Sequence, residues 1–167
     1  GLGDVYKRQV LGMLHGLSTL EDLIKNTKGK LKEGRIIDWP DINIRAIHLT
    51  LSQPTNTKEL MAYIDLARSV HFNTVILSLK NNVRLNTMRD IVLSDSLSRD
   101  EFVSLARYIK ASGMKLVVEV KLLTKQDLYL RSSYNVPLYN RFTYDPQKKE
   151  TYRYVFSVLD EVIGAVG

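Results

Sequence analysis

The chain has 167 residues, of which 44% are hydrophobic and 25% charged, and its net charge is +6. This composition is rich enough for a hydrophobic core and matches one globular domain or part of a larger one. Cys is absent, which excludes disulfides and thiolate metal sites, and no apolar run is long enough to span a bilayer.

The opening stretch, "GLGDVYKRQ" at residues 1–9, has no apolar periodicity, no capping signal and no signal-peptide core. The codons GGG CTC GGA GAT GTG TAT AAG AGA CAG encode it, and they are similar to transposon-adapter DNA used in sequencing libraries. We therefore expect residues 1–9 to be an adapter artefact, and we exclude them from fold reasoning. On this prediction the gene fragment begins within a longer protein.

Residues 10–39 are predicted to form a helix, a loop and a short strand at the end of a preceding domain. Apolar residues near helical spacing indicate the helix: Leu14, Leu17, Leu20 and Ile24. The strand is expected in "RIIDWP", where Pro40 biases Trp39 away from helix and indicates a domain junction.

The excess of basic residues is densest at 25–35, "KNTKGKLKEGR". Such a run raises the question of a nucleic-acid surface. No aromatic residue lies within it, and Gly29 and Gly34 interrupt it, so a solvated loop is the favoured interpretation and no nucleic-acid partner is expected.

From residue 44 onward, apolar runs alternate with amphipathic helices. Buried strands are predicted at 44–51, 74–79 and 115–120. Capping-box spacing marks the start of the first two helices, at Asn56 with Glu59 and at Ser98 with Glu101. The second helix has a C-terminal cap at Gly113. The apolar faces consist of Leu60, Ile64 and Ala67 in the first helix and of Phe102, Leu105, Ala106 and Ile109 in the second.

A long loop follows the third strand and leads to a last helix. Asp145 and Pro146 are predicted to be its N-cap and first helical residue. Its predicted apolar stripe consists of Tyr152, Val155, Phe156, Leu159 and Ile163.

The order β-α-β-α-β-loop-α predicts the α/β class, with a parallel sheet and right-handed crossovers. Two architectures satisfy it: an open doubly wound sheet and a (β/α)8 barrel. No glycine-rich phosphate-binding motif follows any strand, which disfavours nucleotide binding and leaves no expected cofactor. A barrel needs about 250 residues, so the chain would hold roughly half of one.

Three stretches, in this order, resemble glycoside hydrolase family 20, the β-N-acetylhexosaminidases. They are "GMLHGLSTLEDLI" at 12–24, "IIDWPDINIRAIHLTL" at 36–51 and "YDPQKKETYRYVFSVLDEVIG" at 144–164. "ARSVHFNTVILSL" at 67–79 also resembles the family's entry into barrel strand two. Family 84 matches less well, because its E-G-F-Y-G motif is absent.

The resemblance covers residues 10–166 and implies a truncated (β/α)8 TIM barrel. Residues 40–167 would be its first half, about strands 1–3 and helices 1–3, and 10–39 the end of a small α/β domain. The family cleaves terminal β-linked N-acetylhexosamines with retention, using the substrate's own acetamido oxygen. Its adjacent Asp and Glu at strand four are expected beyond Gly167, and a periplasmic or extracellular location is implied.

This sequence departs from the family where the barrel strands end. After strand one, Thr50 replaces the usual Asp and Gln53 the Arg that holds sugar hydroxyls, and Asn81 replaces an Asp after strand two. A neutral amide offers fewer fixed donors than a guanidinium. We therefore expect altered substrate contacts or a loss of hydrolysis.

After strand three, Glu119 is kept, while Lys121 and Lys125 replace the usual Asp and His. Glu119 is the best pocket carboxylate, and contact with a ligand or a pair with a neighbouring Lys or Arg are equally open interpretations. The resemblance implies that these residues bind the substrate: Gln53, Asn81, Glu119 and Lys125.

Other candidate residues have simpler interpretations. His15, His48 and His71 lack metal-ligand spacing and are expected to be packed or surface histidines. Asp160 and Glu161 imitate a catalytic pair but are predicted to lie on a solvated helix face. The long loop carries tyrosines that would either stack on sugars or pack the loop: Tyr129, Tyr134, Tyr139 and Tyr144.

Three hypotheses follow. The first is a family 20-like glycoside hydrolase whose catalytic pair lies downstream, with no hydrolase activity in residues 1–167 alone. The second is a non-catalytic or divergent glycan-binding barrel. The third is an open α/β domain with an unrelated ligand.

Overall fold

A computed structural model describes residues 10–52, 54–122, 136–140 and 142–167. The helices and strands are α1 (Val10–Asn26), β1 (Ala46–Thr50), α2 (Thr57–Ser69), β2 (Thr74–Ser78), a 3₁₀ helix (Asn86–Ile91), α3 (Arg99–Ala111), β3 (Lys115–Glu119), β4 (Leu138–Asn140), β5 (Thr143–Tyr144) and α4 (Lys149–Val166). The predicted α/β alternation is confirmed.

The three predicted strands form one parallel sheet in the order β1-β2-β3. Its first row aligns Ala46, Thr74 and Lys115, and α2 and α3 supply the two crossover connections. Strand order follows chain order, which is the arrangement of a barrel wall and also of one half of a doubly wound sheet.

One side of the sheet, the helix-covered face, packs against α2 and α3. Side chains alternate along a strand, so every second residue lies on this face, including Leu51, Val75 and Leu77, which are at most 1% exposed. The helices contribute the predicted apolar residues, of which these are buried: Ile64, Ala67, Phe102, Leu105, Ala106 and Ile109. Each large side chain removed from water stabilises the fold by about 1.5–3 kcal/mol.

The predicted helix boundaries at α2 and α3 are confirmed by their caps. The Asn56 side chain accepts hydrogen bonds from the backbone N–H groups of Lys58 and Glu59. Ser98 and Glu101 form both halves of the capping box at α3. Gly113 follows α3 with φ +77°, a conformation that favours glycine.

The predicted start of α4 at Asp145 and Pro146 is wrong by three residues. The Asp145 carboxylate accepts a hydrogen bond from the N–H of Gln147 at 2.9 Å, two residues along the chain. This local turn ends before the helix, which begins at Lys149. The Thr151 hydroxyl then donates to the Asp145 carbonyl at 2.7 Å and joins the turn to the first helical turn.

The predicted apolar stripe of α4 is also wrong. Tyr152, Phe156 and Ile163 are 47%, 58% and 61% exposed. The buried face lies elsewhere on the helix and consists of Thr151, Tyr154, Val158, Val162 and Ala165. Both faces carry apolar residues, and periodicity alone does not decide which of them packs against the neighbouring helix α3.

Residues 28–44 are exposed along their whole length, and no strand lies between Asn26 and Ala46. The short strand predicted in "RIIDWP" is therefore wrong, because no described strand lies beside it to form a ladder. Helix α1 is formed as predicted, and the Asp22 carboxylate lies 3.3 Å from Nε2 of His71. None of the described helices is long and apolar enough to cross a membrane.

Candidate functional site

The candidate site lies at the edge of the sheet where the three parallel strands end. The strand register places Thr50, Ser78 and Glu119 in one row at this edge. In parallel α/β folds ligands bind at the carboxyl ends of the strands, since side chains from different strands converge there. Of the candidate residues named from sequence, Asn81 and Glu119 lie on or just after this row.

The side of the sheet opposite the helices is here called the open face, and its central residues are His48, Thr50, Ile76, Ser78, Val117 and Glu119, of which Ser78 is 2% exposed. His48 and Thr50 are exposed, and Val117 is 48% exposed. Both faces of a parallel sheet are ordinarily covered. Among the described residues, helices pack on only one of them.

The Glu119 carboxylate contacts the His48 ring across the open face. The distance from Nε2 of His48 to Oε2 of Glu119 is 2.9 Å, and the two side chains lie on β1 and β3, either side of β2. The sequence predicts that His48 is a packed or surface residue. It leaves two interpretations of Glu119 open, which are contact with a ligand and a pair with a neighbouring Lys or Arg. The structure pairs the carboxylate with a histidine, and both side chains stay more than one-third exposed.

Asn81 lies in the loop that follows β2. The loop turns sharply at Lys80, which has φ +46°, an uncommon conformation for a residue with a side chain. The Asn81 carbonyl accepts hydrogen bonds from the N–H of Leu93 at 3.1 Å and from the hydroxyl of Ser96 at 3.2 Å. The backbone at Asn81 is therefore held by the far side of the loop, and its side chain is half-buried.

Asn82 is a residue that sequence analysis did not single out. Its Nδ2 donates to the Leu51 carbonyl at 2.8 Å and so links the ends of β1 and β2. Its Oδ1 is buried in a residue that is 3% exposed, and none of the described residues gives it a hydrogen bond. A buried polar atom without a partner is costly in free energy. The sequence feature that could have pointed to Asn82 is its position immediately after Asn81, at the end of a strand.

Two of the four predicted substrate-binding residues, Gln53 and Lys125, lie outside the described residues. Of the positions where the sequence departs from the family, Thr50 is exposed at the end of β1 and Lys121 is half-buried just after β3. The structure therefore brings Thr50, Asn81 and Glu119 to the ends of adjacent strands.

The tyrosines of the long loop have different environments. Tyr129 and Tyr134 lie outside the described residues. Tyr139 is 74% exposed on β4, whereas Tyr144 is 1% exposed on β5. Tyr144 contacts Tyr154 of α4 edge-on, with 5.6 Å between ring centroids. Tyr144 therefore packs the core, and Tyr139 stays a candidate for stacking on a sugar.

The prediction that Asp160 and Glu161 lie on a solvated helix face is wrong for Glu161. Asp160 is exposed, but the Glu161 carboxylate accepts hydrogen bonds from Asn86 and Thr87 in the loop after β2. Partial burial raises the pKa of Glu161, but the hydrogen bonds from Thr87 and Asn86 and the charge of Arg99 outweigh it and hold that pKa below 4.5. Helical periodicity does not reveal this contact, because the partners lie 74 and 75 residues away.

Within the described ranges, no three His, Asp or Glu side chains come together as a metal site. His15 lies on α1, at the opposite end of the sheet from the candidate site. Partial burial, followed by the nearby charges of Arg45 and His71, lowers the pKa of His15. The structure thus places His15 as a half-buried histidine.

No family model and no curated protein matches the chain. Solved structures do match: a Flavobacterium johnsoniae chitobiase at 17% identity has a TM-score of 0.71 over 92% of this chain and 27% of its own. The glycoside hydrolase family 20 (GH20) β-N-acetylhexosaminidase from Streptomyces coelicolor A3(2) matches at 20% identity and a TM-score of 0.70, over 92% of this chain and 39% of its own.

A third structure, a GH20 exo β-N-acetylglucosaminidase from Vibrio harveyi in complex with N-acetylglucosamine, matches at 14% identity with a TM-score of 0.65. The match covers 92% of this chain and 31% of the Vibrio protein. The chain thus spans 27% to 39% of the length of these three structures. Identities this low show the fold alone, and the resemblance drawn from the sequence motifs is confirmed for the fold. The chain has the fold of a portion of the glycoside hydrolase family 20 β-N-acetylhexosaminidases.

Proposed function

We propose that this chain is the first part of the catalytic barrel of a glycoside hydrolase that removes terminal N-acetylhexosamines. Strands β1–β3 would be barrel strands 1–3, with α2, α3 and α4 the first three helices. Residues 10–39 would end a preceding α/β domain, and residues 1–9 would be an adapter artefact. The strand order, which follows chain order, and the likeness to family 20 structures support this assignment.

The reaction proposed is substrate-assisted hydrolysis with retention, in which the acetamido oxygen attacks the anomeric carbon. The Asp that orients the acetamido group and the Glu that protonates the leaving oxygen would lie downstream of Gly167. In this chain Gln53, Asn81, Glu119 and Lys125 would hold sugar hydroxyls at the strand ends.

The single observation that carries the proposal is the row at the carboxyl edge. Thr50, Ser78 and Glu119 are aligned by the register, and Asn81 follows at the end of β2. A carboxylate and an amide on neighbouring strands are suitable partners for sugar hydroxyls, since each oxygen accepts a hydrogen bond and the amide nitrogen also donates.

The second candidate function is glycan binding without hydrolysis. The observations that favour it are the Asn81 amide, where the family has a carboxylate, and the Glu119 carboxylate, which His48 already contacts. Such a site retains groups that bind sugar hydroxyls, but it has fewer charged side chains that could shift the pKa of a catalytic acid.

The experiment is to recover the reading frame beyond Gly167 and assay the longer protein on an aryl N-acetyl-β-glucosaminide. We expect the longer protein to release the aryl chromophore and residues 1–167 alone to release none. Chromophore release by residues 1–167 would contradict the downstream position of the catalytic pair.

Binding of N-acetylglucosamine, followed by calorimetry, separates the two candidates. Binding without hydrolysis by the longer protein favours the non-catalytic barrel. The absence of both binding and hydrolysis overturns the carbohydrate assignment altogether.

A further inference from the structure

The loop after β2, residues 79–98, is here called the β2 loop. It is closed by a parallel bridge between Val83 and Leu97, with the N–H of Leu97 donating to the Asn82 carbonyl at 2.9 Å. The N–H of Arg84 donates back to the Leu97 carbonyl at 2.8 Å. These bonds join the start of the loop, which carries Asn81 and Asn82, to its end.

The 3₁₀ helix Asn86–Ile91 forms the middle of the β2 loop and sits on the core through Leu85, Met88 and Ile91, each at most 4% exposed. Its first turn has no side-chain cap from its own N-cap residue, Leu85. The first N–H groups of a helix lack partners within it, so they need an acceptor from elsewhere.

Glu161 of α4 supplies that acceptor. Its Oε1 accepts from the N–H of Asn86 at 2.7 Å, and its Oε2 accepts from the N–H and the hydroxyl of Thr87 at 2.9 and 2.7 Å. One carboxylate thus takes three hydrogen bonds from two adjacent loop residues. Hydrogen bonds to a charged acceptor are stronger than neutral ones.

We propose that Glu161 is a positioning residue that fixes the β2 loop to α4 and thereby holds Asn81 and Asn82 at the carboxyl edge of the sheet. Glu161 acts through the loop backbone, and a sugar need not touch it. Its loss frees the first turn of the 3₁₀ helix, and the motion reaches Asn81 through the bonds from Leu93 and Ser96. The effect on sugar binding rests on the proposed function, whereas the loop anchoring does not.

The test is amide hydrogen exchange on the whole chain, with Glu161→Ala and Glu161→Gln compared with the unaltered protein. The Gln side chain keeps one acceptor oxygen but turns an NH2 group toward the donors of the loop. The matched control is Asp160→Asn, which removes the same charge from the adjacent exposed position of α4.

We expect exchange at Asn86 and Thr87 to accelerate roughly tenfold or more in Glu161→Ala, since bonds to a charged group are lost. Exchange of the amides from Asn81 to Leu97 should accelerate to a smaller extent. Exchange of the β2 amides should stay unchanged in Glu161→Ala, and the Asp160→Asn protein should exchange like the unaltered one. Equal exchange at Asn86 and Thr87 in all variants would overturn the proposal.

A pH series supplies a readout that a merely packed side chain would not move. The Glu161 carboxylate is charged in the folded protein above its lowered pKa, and Arg99 is the charged group that favours this state. The protection of Asn86 and Thr87, corrected for intrinsic exchange, should fall as the pH drops through this lowered pKa, and Glu161→Gln should show no such fall. A pH dependence that survives in Glu161→Gln would contradict the inference.

Should Glu161→Ala fail to fold, Thr87→Val keeps the proposal testable, because it removes only the hydroxyl donor of the same contact. We expect a smaller acceleration at Thr87 in this variant and no additional acceleration when it is combined with Glu161→Gln. Additive effects of the two substitutions on exchange at Thr87 would show that Thr87 and Glu161 act separately and would contradict the proposal. A failure of sugar binding with an intact loop would count against the proposed function and leave the anchoring in place.

Discussion

The two faces of the sheet differ in what covers them. The helix-covered face carries Leu51, Val75 and Leu77, all at most 1% exposed, whereas the open face carries an exposed His48 and a Val117 that is 48% exposed. The same three strands supply both sets of residues. The difference separates the residues that stabilise this part of the fold from those that solvent or a ligand can reach.

The open face is also where the sheet differs from an ordinary parallel sheet. Its central residues include Ile76 and Val117, which are apolar, beside the half-exposed pair of His48 and Glu119. On the proposed function, these apolar residues would belong to the inner wall of a barrel. Substitutions on the two faces should therefore differ in their effect on stability.

Leu77→Ala on the helix-covered face should lower the free energy of unfolding by about 2–5 kcal/mol, because it removes a buried side chain and leaves a cavity. Val117→Ala on the open face is the matched control and should cost less than about 1 kcal/mol, since the residue is half-exposed. Urea denaturation measures both. Equal losses would mean that the open face is covered in solution.

Ser98→Ala weakens α3, one of the two helices that pack on the helix-covered face. It removes the acceptor for the N–H of Glu101 and should cost about 1 kcal/mol in the free energy of unfolding. Ser104→Ala, at an exposed position within the same helix, is the control and should be neutral or slightly stabilising. A loss in the control as large as that in Ser98→Ala would contradict a specific capping role.

The same cap makes stability depend on pH. The backbone and hydroxyl hydrogen bonds from Ser98, with a weaker contribution from the charge of Arg84, hold the pKa of Glu101 below 4.5. Because the folded state favours the charged form, this stabilisation is present above pH 4.5 and is lost as the pH falls through the lowered pKa. Denaturation of Glu101→Gln should lack this component, and an unchanged acid profile in that variant would contradict the assignment.

Glu119→Gln should have the smallest effect on stability, below about 1 kcal/mol, because both side chains of its contact with His48 are more than one-third exposed. On the proposed function, the same variant of the longer protein should bind N-acetylglucosamine more weakly. His48→Gln separates loss of the pair from loss of the carboxylate. A large loss of stability in Glu119→Gln would indicate that the open face is structurally buried.

The core of the fold was predictable because its signals are local. Unbroken apolar runs placed the three strands to within two residues, and the caps at Asn56 and Ser98 marked two helix starts. The face of α4 was not predictable, because Tyr152 and Tyr154 are equally plausible core residues until the position of α3 is known. Local patterns report periodicity, whereas the choice between two apolar faces depends on tertiary contacts.

The candidate site was predictable only in part. The resemblance drew attention to Asn81 and Glu119, which lie at the ends of neighbouring strands. It did not indicate the His48 partner of Glu119, the Asn82 hydrogen bond to Leu51 or the three hydrogen bonds of Glu161. Each of these depends on residues that are far apart in the chain and meet only in the folded protein.

The most direct test of the central claim is an experimental structure of the protein extended beyond Gly167. The account predicts that the next strand pairs in parallel with the free edge of β3, with an adjacent Asp and Glu at its carboxyl end, and that further strands enclose the open face. A structure in which helices cover the open face, or in which the sheet closes without a strand beside β3, would contradict the account.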